Sequence, residues 1–334
     1  MSLRFKTNLL EHTKAVGRWA LARGVHAHVR ATDLALVLQQ EERALLLLPQ
    51  FVGQRDGKRL MYFDTPDEHA RGFVGWLPYR PLAWDISISK LAFKRLAGQL
   101  GLRVPGSWQQ PAEASAPFLV KRDRGAFGDG MSGPHLPATT AAPARVADGE
   151  FCEAFVSGQI ARAWYWNGQL AVLEVLPMPQ VLGDGRSTLA SLLQQASPEP
   201  LADFAPFEAL ARLQGLHLDS VPAAGQAVTA DYRYVSPLNP TVYANHNGLR
   251  QAAGTPMLQA FVDAGARLWP RIPGAVGPAG KQAAFVLDAI VGDDGLPWFL
   301  EINSNAQGHP DLYPPMLEAL CAPWFDTSAT QAAA

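Results

Sequence analysis

The sequence predicts a mixed α/β fold, assembled from α+β units and divided into two or three subdomains. Three observations predict it. A chain of 334 residues has interior enough for more than one packed unit. Its composition, 48% hydrophobic and 17% charged, is that of an ordinary globular protein rather than a disordered or fibrous one. Helical spacings and short extended runs alternate along the chain instead of segregating.

Taken in order, Leu9 to Arg23 carries apolar residues at helical spacing. Ala44 to Gln50 reads as a buried strand whose aliphatic run, Leu45 to Leu48, ends at Pro49. Lys58 to Phe63 reads as a second extended piece after the Gly57 turn, which makes residues 1–85 a small N-terminal α/β domain. Trp76, Tyr79 and Trp84 read as core or interdomain packing rather than a ligand cage. Ser87 to Leu100 is a helix with Ser87 or Ser89 as N-cap, apolar at Ile88, Leu91, Ala92, Leu96 and Leu100 and stopped by Gly101. Pro105 opens an extended segment, Pro117 to Lys121 is a strand, and Arg122 to Gly133 is a glycine-rich loop. Thr139 to Ala147 is a short helix or loop.

Glu150 to Val156 is a strand that passes through Gly158 into Ile160 to Trp166. Asn167-Gly168 is a strong hairpin signal, and Gln169 to Leu176 returns. A helix spans about Pro256 to Trp269. Two strands follow, Ala283 to Val291 and Trp298 to Ile302, joined by Gly292-Asp293-Asp294-Gly295. Residues 86–150 and 151–326 read as two further units, and 327–334 as a small polar tail that frays.

Charge excludes several function classes. With 28 basic against 30 acidic side chains, the net charge of −2 draws the chain to neither nucleic acid nor an anionic membrane. Any anion must be held by a local site. No segment approaches the length of a membrane span, and the N-terminus lacks the apolar core of a signal peptide, so the expected location is cytoplasmic. Cys152 and Cys321 could form one disulfide, but two cysteines in so long a chain fit a reducing compartment better. No internal repeat is present.

The segment richest in chemistry is the last strand pair. Glu301 and Asn303 lie two apart and point to one face, and Asp288 on the neighbouring strand can face that side too. Three hard oxygen donors on one sheet surface suit Mg²⁺. The plainer alternative is that Asp288 and Glu301 pair with basic side chains. Either way, an acid between Leu287 and Ala289, or between Leu300 and Ile302, is costly without an ion or a partner.

A second candidate is the strand Phe118-Leu119-Val120-Lys121 with the loop that follows it. Gly125, Gly128 and Gly130 in that loop can present backbone N–H groups to polyphosphate. The loop lacks the order of a P-loop and lacks GxGxxG.

Four segments in this order resemble the ATP-grasp superfamily. They are Ile88-Ser89-Lys90-Leu91-Ala92-Phe93-Lys94 through Pro105, the Lys121 strand with its glycine loop, Phe151-Cys152-Glu153-Ala154-Phe155-Val156-Ser157-Gly158, and Asp288 with Glu301-Ile302-Asn303. Together they cover most of residues 86–310. The resemblance implies an ATP-grasp fold, two α+β lobes gripping ATP, behind the N-terminal domain. It implies that Lys90 and Lys121 hold ATP phosphates and that the loop from Arg124 to Met131, with Gly125, Gly128, Gly130 and Met131, closes over them. Glu153 and the backbone of Ala154, Phe155 and Val156 would line the adenine pocket. Asp288, Glu301 and Asn303 would carry two Mg²⁺ ions, or Mn²⁺ in their place.

Arg162 fits an arginine found in several members, while Ile160 stands where the family's ribose-binding acid is expected. The segment Val181 to Leu193 is similar to one in cyanophycin synthetases and glutathione-forming ligases. Its Gly183-Asp184-Gly185 is either a substrate element or a plain tight turn. Asp231 to Tyr243 resembles the large loop of D-alanine ligases, with Arg233 in place of a phosphate-contacting lysine. Ala306-Gln307-Gly308-His309 departs from the family's proline-glycine, so the acceptor is not transferable; His309, His246 and Arg250 are as fit for the surface as for substrate.

The activity implied is ADP-forming ligation of a small-molecule carboxylate to an amine, on amino acids or peptides, through an acyl phosphate, with Arg233 and Arg162 as catalytic residues. Two rival classes are an ATP-grasp kinase acting on a hydroxyl and a nucleotide-binding module without turnover. Monomer and homodimer are both open.

Overall fold

The computed structural model describes residues 9–55, 59–125, 130–137, 143, 145–234, 236–238, 246–277, 280–305 and 308–325. Outside them lie Gly57, Lys58, Gly128, most of 139–144, the Thr241–Tyr243 stretch, Ala306-Gln307 and the 327–334 tail.

The architecture is mixed α/β with antiparallel sheets. Helix α1 (Leu9–Arg23) precedes a five-stranded sheet of β1 (His26–Val29), β2 (Leu36–Gln40), β3 (Arg43–Arg55), β4 (Arg59–Phe63) and β5 (Ala70–Leu77). The strand does not end at Pro49, as the sequence predicts for its aliphatic run. Strand β3 runs through it, because pairing with β2 stops at Leu47 and pairing with β4 starts at Phe51. Between those points β3 pairs with β5 alone, so a residue without an N–H is tolerated on the open side.

The single helix expected over 87–100 is two: α2 (Asp85–Ile88) and α3 (Lys90–Gln99). Ser89 between them is extended, and its Oγ accepts from the Ala92 N–H, the first-turn donor a helix cannot satisfy internally. Gly101 ends the segment with φ +70°, a conformation glycine adopts without strain. Strands β6 (Ser107–Trp108), β7 (Phe118–Arg122), β8 (Ser132–His135) and β9 (Glu150–Ala154) form a four-stranded sheet in the order β6-β9-β7-β8.

Strands β10 (Gln159–Trp166) and β11 (Gln169–Pro177) form the predicted hairpin, with positive φ at both Asn167 and Gly168 as its tight turn requires. A small lobe follows: β12 (Gln180–Leu182), α4 (Leu189–Ala196), α5 (Ala205–Leu213) and β13 (Ala227–Thr229). Then come α6 (Pro256–Leu268), the hairpin β14 (Ala275–Gly277) and β15 (Gly280–Gln282), β16 (Ala284–Val291), β17 (Pro297–Asn303) and α7 (Tyr313–Phe325). The central sheet has the order β11-β10-β16-β17.

One face of the central sheet is apolar throughout. Ala161, Ala163, Tyr165, Leu173, Phe285, Leu287, Ala289 and Ile302 pack there against α3 and α6. The other face changes character along the strands. At one end Trp164, Trp166, Val172, Ala284 and Val286 are covered by the N-terminal sheet with α1 and α7, and Trp76 and Tyr79 are buried in that cluster as packing residues. At the other end Ile160 and Ile290 form an apolar floor with Leu119, Met178 and Tyr232. Between wall and floor lies the only stretch of this face that is charged among the described residues.

The wall holds a buried histidine pair. His12 and His309 are 0% and 3% exposed, and His12 Nδ1 lies 2.7 Å from the Tyr313 hydroxyl. His309, with Gln50, Trp164 and Ser304, lines a cavity of about 30 Å³. Burial, reinforced by His309, lowers the His12 pKa to about 3, and burial lowers that of His309 to about 4. In the unfolded chain both sit near 6.5, so below that pH the unfolded state binds more protons and stability falls as pH drops toward the folded values. Unfolding free energies from urea titrations should therefore decline from pH 7 to pH 5 more steeply in the wild type than in His12→Gln, by up to about 1.4 kcal/mol per pH unit for the one histidine removed. Parallel pH profiles would refute this.

Candidate active site

The charged stretch is built by register. Arg162 on β10 stands opposite Glu174 on β11 and opposite Asp288 on β16, and Asp288 stands opposite Glu301 on β17. Glu174, Arg162, Asp288 and Glu301 thus form one row across four strands. A bulge at Leu300 shifts the β16–β17 ladder just beyond Glu301. Asn303 lies two residues further on the same face, and its Nδ2 donates to Asp288 Oδ2 at 2.9 Å.

The cations already sit on the acids. Arg162 donates through Nε and a terminal nitrogen to both oxygens of Asp288, at 2.6 and 3.1 Å. Lys90 Nζ lies 3.0 Å from Glu301 Oε2 and donates to the Gly125 carbonyl at 2.7 Å. The plainer alternative of ion pairing is therefore realised in this state, and it uses the cations that the resemblance assigns to phosphate and oxyanion. Burial raises the Asp288 carboxyl and the Arg162 pair only partly offsets it. Burial pushes Glu301 the same way, but Lys90, Lys121 and a hydrogen bond with Asp288 together outweigh it and leave that carboxyl lowered. The two acids are thereby driven apart, with Glu301 the more firmly ionised.

Lys121 is positioned from the other sheet. It lies on β7 one diagonal from Glu153 on β9, and the two side chains are hydrogen-bonded. Glu153 is 1% exposed and its second oxygen lies 2.7 Å from Lys94 Nζ. Burial raises the Glu153 carboxyl, but Lys121 and Lys94 together leave it lowered. So Glu153 faces a lysine pair. Phe155 and Val156 follow it into the cluster formed by Ile160, Ile290, Met178 and Leu300, together with Met131. Ile160 contributes apolar surface there and no charge. Ala154 is half-buried at the end of β9.

The loop end is anchored at Asp123, whose Oδ1 accepts from Ser89 Oγ at 2.7 Å and from the Leu91 N–H at 2.9 Å. Gly130 has φ +70°, and a Cβ there would lie 2.6 Å from Arg122 Nε. Gly158, between β9 and β10, is tighter: an added Cβ would meet the Val291 carbonyl at 2.0 Å.

Arg233 is placed apart from the row. Its guanidinium is held by both oxygens of Asp231, at 2.7 to 3.1 Å, and lies 6.0 Å from the Phe207 ring of the small lobe. Tyr234, its neighbour, instead joins the row: its ring lies 3.9 Å from the Arg162 guanidinium and its hydroxyl donates to Glu174 Oε2 at 2.8 Å. Asp184 accepts from the N–H groups of Arg186 and Ser187 and from Ser187 Oγ, the bonds of a plain turn. Cys152 and Cys321 are buried free thiols in different clusters.

Sequence reasoning missed Lys94, Glu174, Tyr62 and Tyr234. Glu174 carried a usable signal, an acid between Leu173 and Val175, the same pattern that marked Asp288. Tyr62 carried none. It comes from β4 of the N-terminal sheet, and burial raises its hydroxyl to about 12 in the field of Arg162, Glu301 and Asp288.

The donor set fits a hard divalent cation: two carboxylates, and an Asn303 amide whose nitrogen is turned to Asp288, which leaves its carbonyl oxygen for a metal. Among the described residues no group of three His, Cys, Asp or Glu side chains is placed to hold a metal ion by itself, and no helix is long and apolar enough to cross a membrane.

No family model matches the chain, and no curated protein does. Among solved structures it is similar to a bifunctional glutathione synthetase from Pasteurella multocida, at 15% identity over 93% of this chain and 43% of that one, with a TM-score of 0.42. It is also similar to a D-alanine–D-alanine ligase from Bacillus anthracis, at 12% identity over 70% of this chain and 62% of that one, with a TM-score of 0.33. The ATP-grasp ligase PsnB, in complex with a minimal precursor, matches at 13% identity over 71% and 60%, with a TM-score of 0.32. The chain spans less than two thirds of each of these structures. Likeness at this level carries no argument about chemistry, which rests on the residues themselves.

Proposed function

We propose that the chain is an ATP-grasp ligase that activates a carboxylate as an acyl phosphate and joins it to an amine. The observation that carries this reading is the row itself. Two acids and an amide of metal-binding type are held in contact with cations of phosphate-binding type, on a largely buried face beside an apolar floor.

Adenine would lie on the floor of Ile160, Ile290, Leu300 and Met178. Lys90 and Lys121 would take the phosphates, and Asp288, Glu301 and Asn303 would hold Mg²⁺, which supplies charge neutralisation at the transferring phosphoryl group. Each resting ion pair would then exchange partners, with the acids free to hold the metal, Lys90 the phosphates and Arg162 the substrate carboxylate. Exchange of like for like would keep the net cost small, since each charge pair, about 1–6 kcal/mol at a separation of ~3 Å, is replaced by another of the same kind. Arg162, released from Asp288, remains on Tyr234 and faces the reacting carboxylate, where it stabilises the oxyanion of the tetrahedral step. Arg233 keeps its tie to Asp231 and fixes the segment that carries Tyr234. Arg162→Ala should therefore cost roughly two to three orders of magnitude in kcat, and Arg233→Ala markedly less.

The test is ADP release with pairs of amino acids and dipeptides, with product masses, and with hydroxylamine as a substitute acceptor. The ligase reading expects a hydroxamate from the correct acid in the absence of the natural amine. A stable phosphate ester formed from an alcohol would replace it with a kinase. Absence of ADP release from every pair would leave a binding module.

A further inference from the structure

Glu174 is the member of the row that this chemistry does not use. It is 0% exposed on β11, and its Oε2 accepts from the Tyr234 hydroxyl at 2.8 Å. Its Oε1 is buried with no hydrogen-bond partner among the described residues. Burial pushes the carboxyl up, against the pull of the Tyr234 hydroxyl, Arg162 and His246. A buried carboxylate oxygen without a donor is costly, and a ligand that brings a charged donor removes the cost.

Position says which ligand. Glu174 and Arg162 are directly opposed on neighbouring strands and point to one face, which sets their Cβ atoms about 4.5–5.5 Å apart. Arg162 is directed at Asp288, so it leaves Oε1 unserved in the resting state. Once Arg162 turns to a substrate carboxylate, an anion and a cation stand side by side. A zwitterion whose ammonium and carboxylate share one carbon presents the complementary pair. A hydroxy acid or an N-blocked acid presents only half of it.

We propose that Glu174 Oε1 anchors the α-ammonium of an amino acid whose α-carboxylate is held by Arg162. The proposal rests on the ligase reading and names its donor class: acids with a free ammonium beside the reacting carboxyl. Glu174 is thus a specificity-determining residue, and Tyr234 positions it from the other oxygen.

The test is calorimetry on the full chain with Mg²⁺ and a non-hydrolysable ATP analogue. The probes are the twenty proteinogenic amino acids, their amides, their N-acetyl derivatives and the matching 2-hydroxy acids. At least one amino acid should bind, with its N-acetyl and hydroxy counterparts weaker by about tenfold or more. Glu174→Gln keeps the shape and the Tyr234 contact, and should weaken the amino acid by about tenfold while leaving the nucleotide analogue within roughly twofold. Should that variant fail to fold, the comparison of probes on the wild type still decides. Equal binding of free and N-acetylated forms, equal binding by wild type and Glu174→Gln, or no binding by any amino acid overturns the proposal. ADP release is read separately with the same compounds and hydroxylamine. Glu174-dependent binding without ADP release sinks the ligase reading and leaves the anchor; ADP release indifferent to Glu174→Gln does the reverse.

Discussion

Glu301→Gln is expected to lower Mg-ATP-dependent turnover by roughly two to three orders of magnitude while the protein stays folded. The amide keeps the volume and one oxygen but removes the charge that faces Lys90 at 3.0 Å and that a metal would use. Glu301 is the better choice for the test than Asp288, because Lys90 holds it lowered and ionised whereas burial holds Asp288 raised. Folding should survive, since Lys90 keeps the Gly125 carbonyl as a partner and is not fully enclosed. Nucleotide affinity measured with and without Mg²⁺ adds a second readout. The wild type should gain affinity on adding the metal, and the variant should gain much less. Retention of near wild-type rates with the true substrates would remove the metal from these residues.

Glu153→Gln is expected to act on stability as much as on activity. The carboxylate lies between Lys121 and Lys94, and the Lys94 side chain is only 5% exposed. Burial lowers the Lys94 pKa, and the Glu153 charge opposes that shift. Removing one partner of a buried ion pair costs about 3–5 kcal/mol, because the remaining charge is left without compensation. The double variant Glu153→Gln with Lys94→Met should recover part of the loss, since it removes the stranded charge as well. The wild-type pair has a pH signature of its own. The lowered Glu153 carboxyl contributes stability that is present above its unfolded pKa, near 4.3, and lost as pH falls through the lower folded value. Thermal unfolding of the three proteins at pH 7 checks the order. A single variant as stable as the wild type would show that the lysines do not need the acid.

Much of the fold was legible in the sequence because its periods are strong. Helix α1, the β10–β11 hairpin with its Asn167-Gly168 turn, and the final strand pair were all read at or within a few residues of their observed bounds. Their local chemistry agrees with their tertiary setting, so propensity and packing point the same way. Pro49 and Ser89 were misread for the opposite reason. Whether a proline ends a strand depends on which neighbours flank it, and whether a serine breaks a helix in two depends on what the two pieces touch.

For the site, the sequence by itself determined which residue types could meet a metal and phosphates. Alternation along a strand places Glu301 and Asn303 on one face whatever the rest of the chain does. Only the tertiary structure decided pairing. The hairpin turn sets Arg162 opposite Glu174, but the register that sets Arg162 opposite Asp288 joins segments more than a hundred residues apart, and both together put Arg162 between the two acids. Packing likewise turns Glu153 toward two lysines and leaves Glu174 Oε1 without a donor among the described residues, while Arg233 is held locally by Asp231, two residues away. A period of two tells which face a side chain takes. Which charge it meets on that face is a property of the folded sheet.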